Sequence, residues 1–299
     1  MPAVQLKTAH GSAHGELAEG EDGRTIVDAA FRVRDNILAG QLTPLVHGDV
    51  TGRARDEEIA MQIDKLKRHL LKRYVVRVET NAGPRILKLS EPGGPWRRPV
   101  FTGARAKREH HWHARAQTLK IAATETRGFL VLRHRSLPIR GVQIQTVMTP
   151  DLVSLEQHLL TEVQRHGAAA VHPFAEHLAD SHALKFFHAD LKGFHAFVTD
   201  LRPRSEGPAD YRMLWSDFGR VSFRMSPRRR IINLYQAFRF LLPEDEAIQR
   251  RFIESYCRAS GWRKHEPERV LAQVQRFLRR KLKTHPIAYA NPWPQSYNA

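Results

Sequence analysis

Three short segments carry side chains of the kind that phosphoryl transfer uses. Lys88 lies in the apolar run Ile86-Leu87-Lys88-Leu89, Asp190 and Lys192 in His188-Ala189-Asp190-Leu191-Lys192, and Asp217 in Asp217-Phe218-Gly219. Moving a phosphoryl group requires a cation on the α- and β-phosphates, a carboxylate beside the attacking hydroxyl and a carboxylate that holds Mg²⁺; these segments offer the three in that order. Taken singly each is weak, since a strand lysine is usually a snorkelling surface residue and Asp190 could be a helix-end cap. Order and context together give them meaning. Glu109 is the only acidic residue between Arg97 and Glu125, and it falls in a helix candidate after the Lys88 strand, where its carboxylate could pair with the ammonium. The plainer alternative for Glu109 is a solvated helix charge.

A strand lysine, a helix glutamate, a loop aspartate and Asp-Phe-Gly in this order resemble the protein kinases. More narrowly, the segment Phe187 to Val198, FHADLKGFHAFV, resembles the catalytic loop of the bacterial lipopolysaccharide core heptose kinases, which carry a His at the place of the usual Asn. Here that residue is His195, five positions after Asp190. Further matches follow in order: Pro99-Val100 through Gly103-Ala104 to Glu109, Asp151-Leu152 with Ser154-Leu155-Glu156, Asp217 with Arg220, and Arg228-Arg229-Arg230 before a helix, so that the resemblance spans Tyr74 to Tyr256. Ala189 in place of the usual Arg is more similar to the related Kdo kinases. Asn233-Leu234 stands where the family tends to show Lys-Asp-Leu, and Pro150 where an acidic hinge residue is common.

The resemblance implies an α+β, bilobal protein-kinase-like fold with a small antiparallel-sheet N-lobe and a larger helical C-lobe. It implies ATP and Mg²⁺ as cofactors, Asp190 and Lys192 as catalytic residues, Lys88, Glu109 and Met148 on the nucleotide, and Asp217 with His195 on the metal. His195 could act as a neutral metal ligand, as a protonated donor to a phosphate oxygen, or only as a packed loop residue. The implied acceptor is an inner-core sugar of lipopolysaccharide, heptose or Kdo. A kinase for a protein or other small-molecule hydroxyl, or a kinase-fold scaffold without catalysis, stands as the alternative. Against a protein kinase, about a dozen residues separate Asp217 from Arg230 and no Ala-Pro-Glu occurs. No Gly-rich loop precedes Lys88, which leaves the Asn81–Pro84 turn or the Gly48–Gly52 loop to cover the phosphates, although Asn-Ala-Gly is also ordinary hairpin chemistry.

The elements that must position these groups follow from periodicity. Met1 to Arg24 reads as a flexible tail. Ile26, Ala30, Val33 and Ile37 recur at helical spacing up to Gly40, and Ile59, Ile63, Leu66 and Leu70 form a second amphipathic candidate. Alternation predicts strands over Tyr74–Thr80, Pro84–Ser90, Gly128–Arg133 and Val142–Met148, with a loop over Glu91–Val100 and a helix over Arg105–Ala122. After Pro150 the character becomes helical: Leu152–Val163, Val171–Phe187, Ile231–Leu241, Ala247–Ser260 and Glu268–Lys283, interrupted by a strand pair around Ala196–Thr199 and Met213–Trp215. Strands first and helices afterwards give an N-lobe over 25–150, a C-lobe over 151–285 and an irregular C-terminal tail over 286–299. His110, His111 and His113 read as solvated histidines.

Composition sets the outer bounds. The 299 residues suit two lobes, and one cysteine, Cys257, leaves no internal disulfide and suits a reducing compartment. No run of 18 apolar residues occurs and the N-terminus is polar, so the expectation is a cytoplasmic protein, peripheral on the cytoplasmic face of the inner membrane. A balance of 48 basic against 31 acidic residues, +17, favours polyanions and makes an anionic membrane surface the expected partner beside the acceptor. A nucleic-acid role rests on charge alone, without a basic–aromatic motif or zinc-finger spacing, and is not expected. No obligate protein partner is implied. The helix Glu268–Lys283 sets Val270, Val274, Phe277 and Leu278 against Arg269, Arg276, Arg279, Arg280 and Lys281, a pattern that suits a membrane surface or a bundle helix equally.

Overall fold

A strand lysine can be buried only where the sheet offers it a polar face, and the alternation of side chains in the N-terminal half builds such a face. The computed structural model describes residues 1–45, 73–90, 103–135, 137–149 and 152–284. The expected Gly48–Gly52 loop, the Ile59–Leu70 helix, the Glu91–Val100 loop, Pro150 and the tail 286–299 lie outside the described residues. The chain divides into two compact units, Met1–Thr118 with Ala123–Asp151 and Asp217–Gly219 in the first, Leu119–Ala122 with Leu152–Ser216 and Arg220–Ala299 in the second.

The first unit is built on β1 (Ala3–Thr8), β2 (Gly11–Leu17), β3 (Thr43–Leu45), β4 (Arg73–Val78), β5 (Arg85–Ser90), β6 (Thr126–His134) and β7 (Leu137–Thr146). Among the described residues these pair in the order β1-β2-β6-β7-β5-β4-β3, every pair antiparallel. Successive residues point to opposite faces. Leu87, Leu89, Leu130, Leu132, Val142 and Ile144 take one face and pack with Ile26, Val27, Ala30, Val33 and Ile37 of α1 (Gly23–Phe31) and α2 (Val33–Leu38) in one apolar cluster. The intervening positions, among them Lys88, Phe129, Val131, Gln143 and Gln145, belong to the opposite face, where α3 (Ala104–Thr118) buries Ala106, Glu109, His110, His113 and Ala116.

Three expectations change here. Residues 3–17 are not a flexible tail but a hairpin in which β2 pairs along β6 from Ser12↔Arg133 to Leu17↔Gly128. Its backbone ladder holds a sequence that offers few apolar side chains, chiefly Val4, Leu6, Ala13 and Leu17. His110 and His113 are buried, with only His111 exposed, because helical spacing turns the first two toward the sheet. The helix expected to reach Ala122 stops at Thr118, since Lys120 adopts a left-handed φ of 57°.

The second unit carries a sheet ordered β11-β10-β8, from β8 (Val153–Ser154), β10 (Ala196–Arg202) and β11 (Asp210–Trp215), and a small pair of β9 (Phe187–His188) with β12 (Val221–Ser222). Its helices are α4 (Leu155–His166), α5 (His172–Ala183), α6 (Pro227–Phe240), α7 (Glu246–Ser260) and α8 (Pro267–Thr284). Ser154, Ser226 and Asp245 accept hydrogen bonds from the amides of Gln157, Arg229 and Ile248 and so cap α4, α6 and α7, each cap contributing about 1 kcal/mol. Phe174, Phe238, Phe252 and Tyr256 are fully buried among these helices. On α8, Val270, Leu271 and Val274 are buried and Phe277 packs on Tyr235 of α6 at 5.1 Å, while Arg269, Arg276, Arg279, Arg280 and Lys283 are exposed. Its apolar stripe is thus used inside the bundle.

Candidate active site

In the first unit Lys88 stands on β5 between Leu87 and Leu89, whose side chains fill the other face, so its chain crosses toward α3. Its Nζ lies 3.0 Å from Glu109 Oε1 and 3.6 Å from Asp217 Oδ1, with all three side chains at most 10% exposed. Burial alone would push the ammonium pKa down, but the two carboxylates outweigh it and hold Lys88 above the usual lysine value. Removing one partner from such a cluster is costly because an uncompensated charge is left in a dry setting. Met148, half-buried beyond the end of β7, takes no part in this cluster.

The Asp-Phe-Gly segment is fitted closely to α3. Asp217 adopts a left-handed φ of 50°, which costs a non-glycine residue of order 1–3 kcal/mol. Phe218 is fully buried and stacks on the His113 ring at 4.0 Å. A Cβ at Gly219 would stand 2.5 Å from an Arg105 guanidinium nitrogen and 3.3 Å from Glu109 Oε2, so any side chain there disturbs the partner of Lys88. Burial, with Lys88 nearby, pushes the His113 pKa well below the usual imidazole value and keeps the ring neutral. Beside it Gln145 Nε2 lies 2.9 Å from His113 Nε2, and Thr126 Oγ1 joins His110 and Gln143 at 3.0 and 3.3 Å.

The Asn81–Pro84 turn does not present itself to phosphate. Its amides are taken: Asn81 N–H by Asp22 at 3.4 Å, Ala82 N–H by Thr80 Oγ1 at 3.2 Å and Gly83 N–H by the Thr80 carbonyl at 2.9 Å. Arg85 ties the turn to Glu21 at 2.8 Å and to the Ala82 carbonyl at 2.7 Å. It is a strapped hairpin turn, and as a phosphate cover it is discarded.

In the second unit the loop after β9 carries Asp190, Lys192 and His195. Lys192 Nζ lies 3.1 Å from Asp190 Oδ1. The carbonyl of Asp190 can only accept, so His195 Nδ1 is the protonated nitrogen that donates to it at 2.6 Å. His195 is fully buried, and its backbone carbonyl receives the Ser216 amide at 2.9 Å. His188 donates through Nε2 to the Ser216 carbonyl at 2.9 Å, leaving Nδ1 to face the Asp190 amide at 3.4 Å.

Several residues of this site lie outside the three short segments that carry the motif. Asn233 Nδ2 on α6 donates to the His188 carbonyl at 2.7 Å, and Gln236 Nε2 to the Ala189 carbonyl at 2.8 Å, so the backbone in front of Asp190 is held by two helix amides. Helical spacing of Asn233 and Gln236 was the available signal. Glu156, in the first turn of α4, presses on the same loop: a Cβ at Gly193 would meet its Oε2 at 2.1 Å. Burial raises the Glu156 carboxyl pKa.

No protein-family model matches the sequence, and no curated protein matches it. Among solved structures the chain is similar to that described as WaaP in complex with acyl carrier protein, with 16% identity and a TM-score of 0.54 over 90% of this chain and 98% of that one. A second match, at 13% identity and a TM-score of 0.30 over 54% of this chain and 46% of the other, is to the yeast RNA polymerase II CTD kinase complex. The fold is protein-kinase-like, an N-terminal antiparallel sheet followed by a helical C-terminal region, as the sequence had implied.

Proposed function

We propose that the protein is an ATP- and Mg²⁺-dependent kinase that phosphorylates an inner-core sugar of lipopolysaccharide, heptose or Kdo. The observation that carries the reaction is the buried Lys88–Glu109–Asp217 cluster, a cation held between two carboxylates on a protein-kinase-like fold. In this reading Glu109 orients Lys88 toward the α- and β-phosphates. Asp217 and His195 take the metal, whose charge when bound offsets that of the phosphates. Asp217 supplies the hard carboxylate oxygen that Mg²⁺ favours, whereas His195, protonated at Nδ1, would present Nε2, a softer nitrogen that is the less usual donor to this ion. Asp190 takes the proton of the attacking hydroxyl, and Lys192, paired with it, steadies charge as it builds on the moving phosphoryl group. Met148, next to the end of β7, is assigned to the nucleotide base. Glu156, a half-buried carboxylate without a cation beside it in the described contacts, suits a hydroxyl donor from nucleotide or acceptor.

The acceptor rests on the resemblance of FHADLKGFHAFV to the core heptose kinases and on the Ala189 it shares with Kdo kinases. Incubation with labelled ATP and core oligosaccharides differing by single sugars, followed by mass spectrometry, tests it. A phosphate gained only when heptose or Kdo is present is the expected result. Transfer indifferent to the core sugars sinks the acceptor assignment.

A further inference from the structure

Behind the Asp190 loop, a chain of hydrogen bonds runs through the helical unit in one direction. It begins at Arg230, whose guanidinium only donates, and reaches Tyr256 Oη at 2.9 Å. Tyr256 Oη lies 2.7 Å from His182 Nδ1, and His182 Nε2 lies 3.0 Å from Asn233 Oδ1. The chain ends where Asn233 Nδ2 meets the His188 carbonyl at 2.7 Å and Gln236 Oε1 at 2.8 Å, and Gln236 Nε2 meets the Ala189 carbonyl at 2.8 Å. Backbone carbonyls only accept. The carbonyl end therefore sets the polarity and the Arg230 end agrees with it: Asn233 donates to the loop and accepts from His182 Nε2–H, His182 Nδ1 accepts from the phenol, and the phenol oxygen, which also has Ser260 beside it, accepts from Arg230.

We propose that Tyr256 and His182 are positioning residues for the catalytic loop, fixing the Asn233 amide so that its N–H group, and not its oxygen, faces the carbonyl two residues before Asp190. This rests on the kinase reading of Asp190. A reversed Asn233 would set oxygen against two acceptors and push the loop away, so the orientation of one amide decides where Asp190 stands. His182 can hold that amide only with Nε2 protonated, which in the neutral ring is the Nε2–H tautomer. Burial, with Arg230 close by, lowers its pKa to about 4, and burial raises the Tyr256 phenol to about 12, so at neutral pH one accepts and the other donates as the polarity requires. Nothing in the sequence pattern marks Tyr256, which stands more than 60 residues after Asp190 on α7.

The test uses the full chain labelled with ¹⁵N-histidine. Long-range ¹⁵N–¹H spectra, with the His182 signals assigned by their loss in His182→Gln, should show His182 as the Nε2–H tautomer with a hydrogen-bonded Nδ1. Tyr256→Phe should lose that Nδ1 signature. With deacylated lipopolysaccharide core as acceptor, Tyr256→Phe should lower kcat by about tenfold while KM for ATP stays within twofold, since the loop and not the nucleotide site is disturbed. Should Tyr256→Phe not fold, Arg230→Met removes the first donor and should move kcat in the same direction by about threefold. An Nδ1–H tautomer in the wild-type protein, or a folded Tyr256→Phe or Arg230→Met variant with unchanged kcat, overturns the proposal. The tautomer is read without nucleotide or acceptor, so a wild-type protein that transfers no phosphate overturns the kinase reading while the spectrum still decides the relay.

Discussion

Glu156 presses on the loop that carries His195, against Gly193. Burial has raised the Glu156 carboxyl pKa, so the folded state binds its proton more readily than the unfolded chain does, and the ionised form works against the fold at neutral pH. Glu156→Gln is therefore expected to raise Tm at pH 7.5 by about 1–3 °C, an advantage that fades as pH falls through the raised pKa, and to lower turnover. A Tm that drops at pH 7.5 contradicts the electrostatic account. For His195, the Nδ1–H bond to the Asp190 carbonyl fits either a metal ligand or a phosphate donor at Nε2. His195→Ala should cut turnover about tenfold or more with the fold retained, and His195→Asn should recover part of it only if the residue is a metal ligand. A fully active, folded His195→Ala variant leaves packing as its role. At this scale the sequence was informative wherever function forces a local motif: Lys88, Asp190 and Asp217 could be read directly, and Glu109 followed from being the lone acid on its helix. Glu156 and Asn233 were visible only as positions aligned with the family, without a role, and His182 not at all, because their significance comes from what the folded chain sets beside them.

Helices and interior strands were legible because each buries a strong apolar face with a clear period, as in Ile26-Ala30-Val33-Ile37 or Leu87–Leu89. The β1–β2 hairpin was not, since Ala3–Leu17 offers few large apolar side chains and is held by backbone pairing to β6. Buried histidines were missed for a related reason: hydropathy ranks them as surface residues, yet α3 sets His110 and His113 against Thr126 and Gln145 in the first unit, and α5 sets His182 against Tyr256 and Asn233 in the second. That use has a pH signature. His182 titrates near 6.5 when unfolded and at about 4 when folded, so the unfolded chain binds the extra proton as the solution is acidified. Stability that is complete above about pH 6.5 should be lost progressively toward pH 4, by up to about 3 kcal/mol from this residue, with His113 adding to the same slope. Urea denaturation across that range checks it. His182→Gln should flatten the curve between pH 6.5 and 4, and an unaltered slope would show that this histidine does not carry it.

For the whole molecule, the order of a sheet unit before a helical unit was readable from periodicity, and the match to a WaaP structure over 90% of the chain bears out the fold. What composition left open was the role of the charge. With α8 using its apolar stripe against Tyr235 and the bundle, its exposed Arg and Lys are what it offers to the expected anionic surface, and among the described residues no helix is long and apolar enough to cross a membrane. Binding of this kind is electrostatic, worth about 1 kcal/mol per basic residue near an anionic surface, and screened by salt. Co-sedimentation with vesicles containing anionic lipid should be strong in low salt and lost by about 0.5 M, a span over which the Debye length falls below the reach of these side chains. Binding that is absent from anionic vesicles or indifferent to salt removes the anionic membrane surface as the expected partner.

The central claim is that Asp190 takes the proton of a hydroxyl that receives the phosphate of ATP. A general base acts in the transition state and adds little to nucleotide affinity, so its loss should separate binding from chemistry. The most direct measurement is a single-turnover transfer from labelled ATP to lipopolysaccharide core by wild type and Asp190→Asn, with ATP affinity measured on the same preparations. The account predicts that Asp190→Asn binds ATP nearly as the wild type does and transfers at least about a hundredfold more slowly. Transfer retained within about tenfold of wild type, with ATP bound equally well, would contradict it.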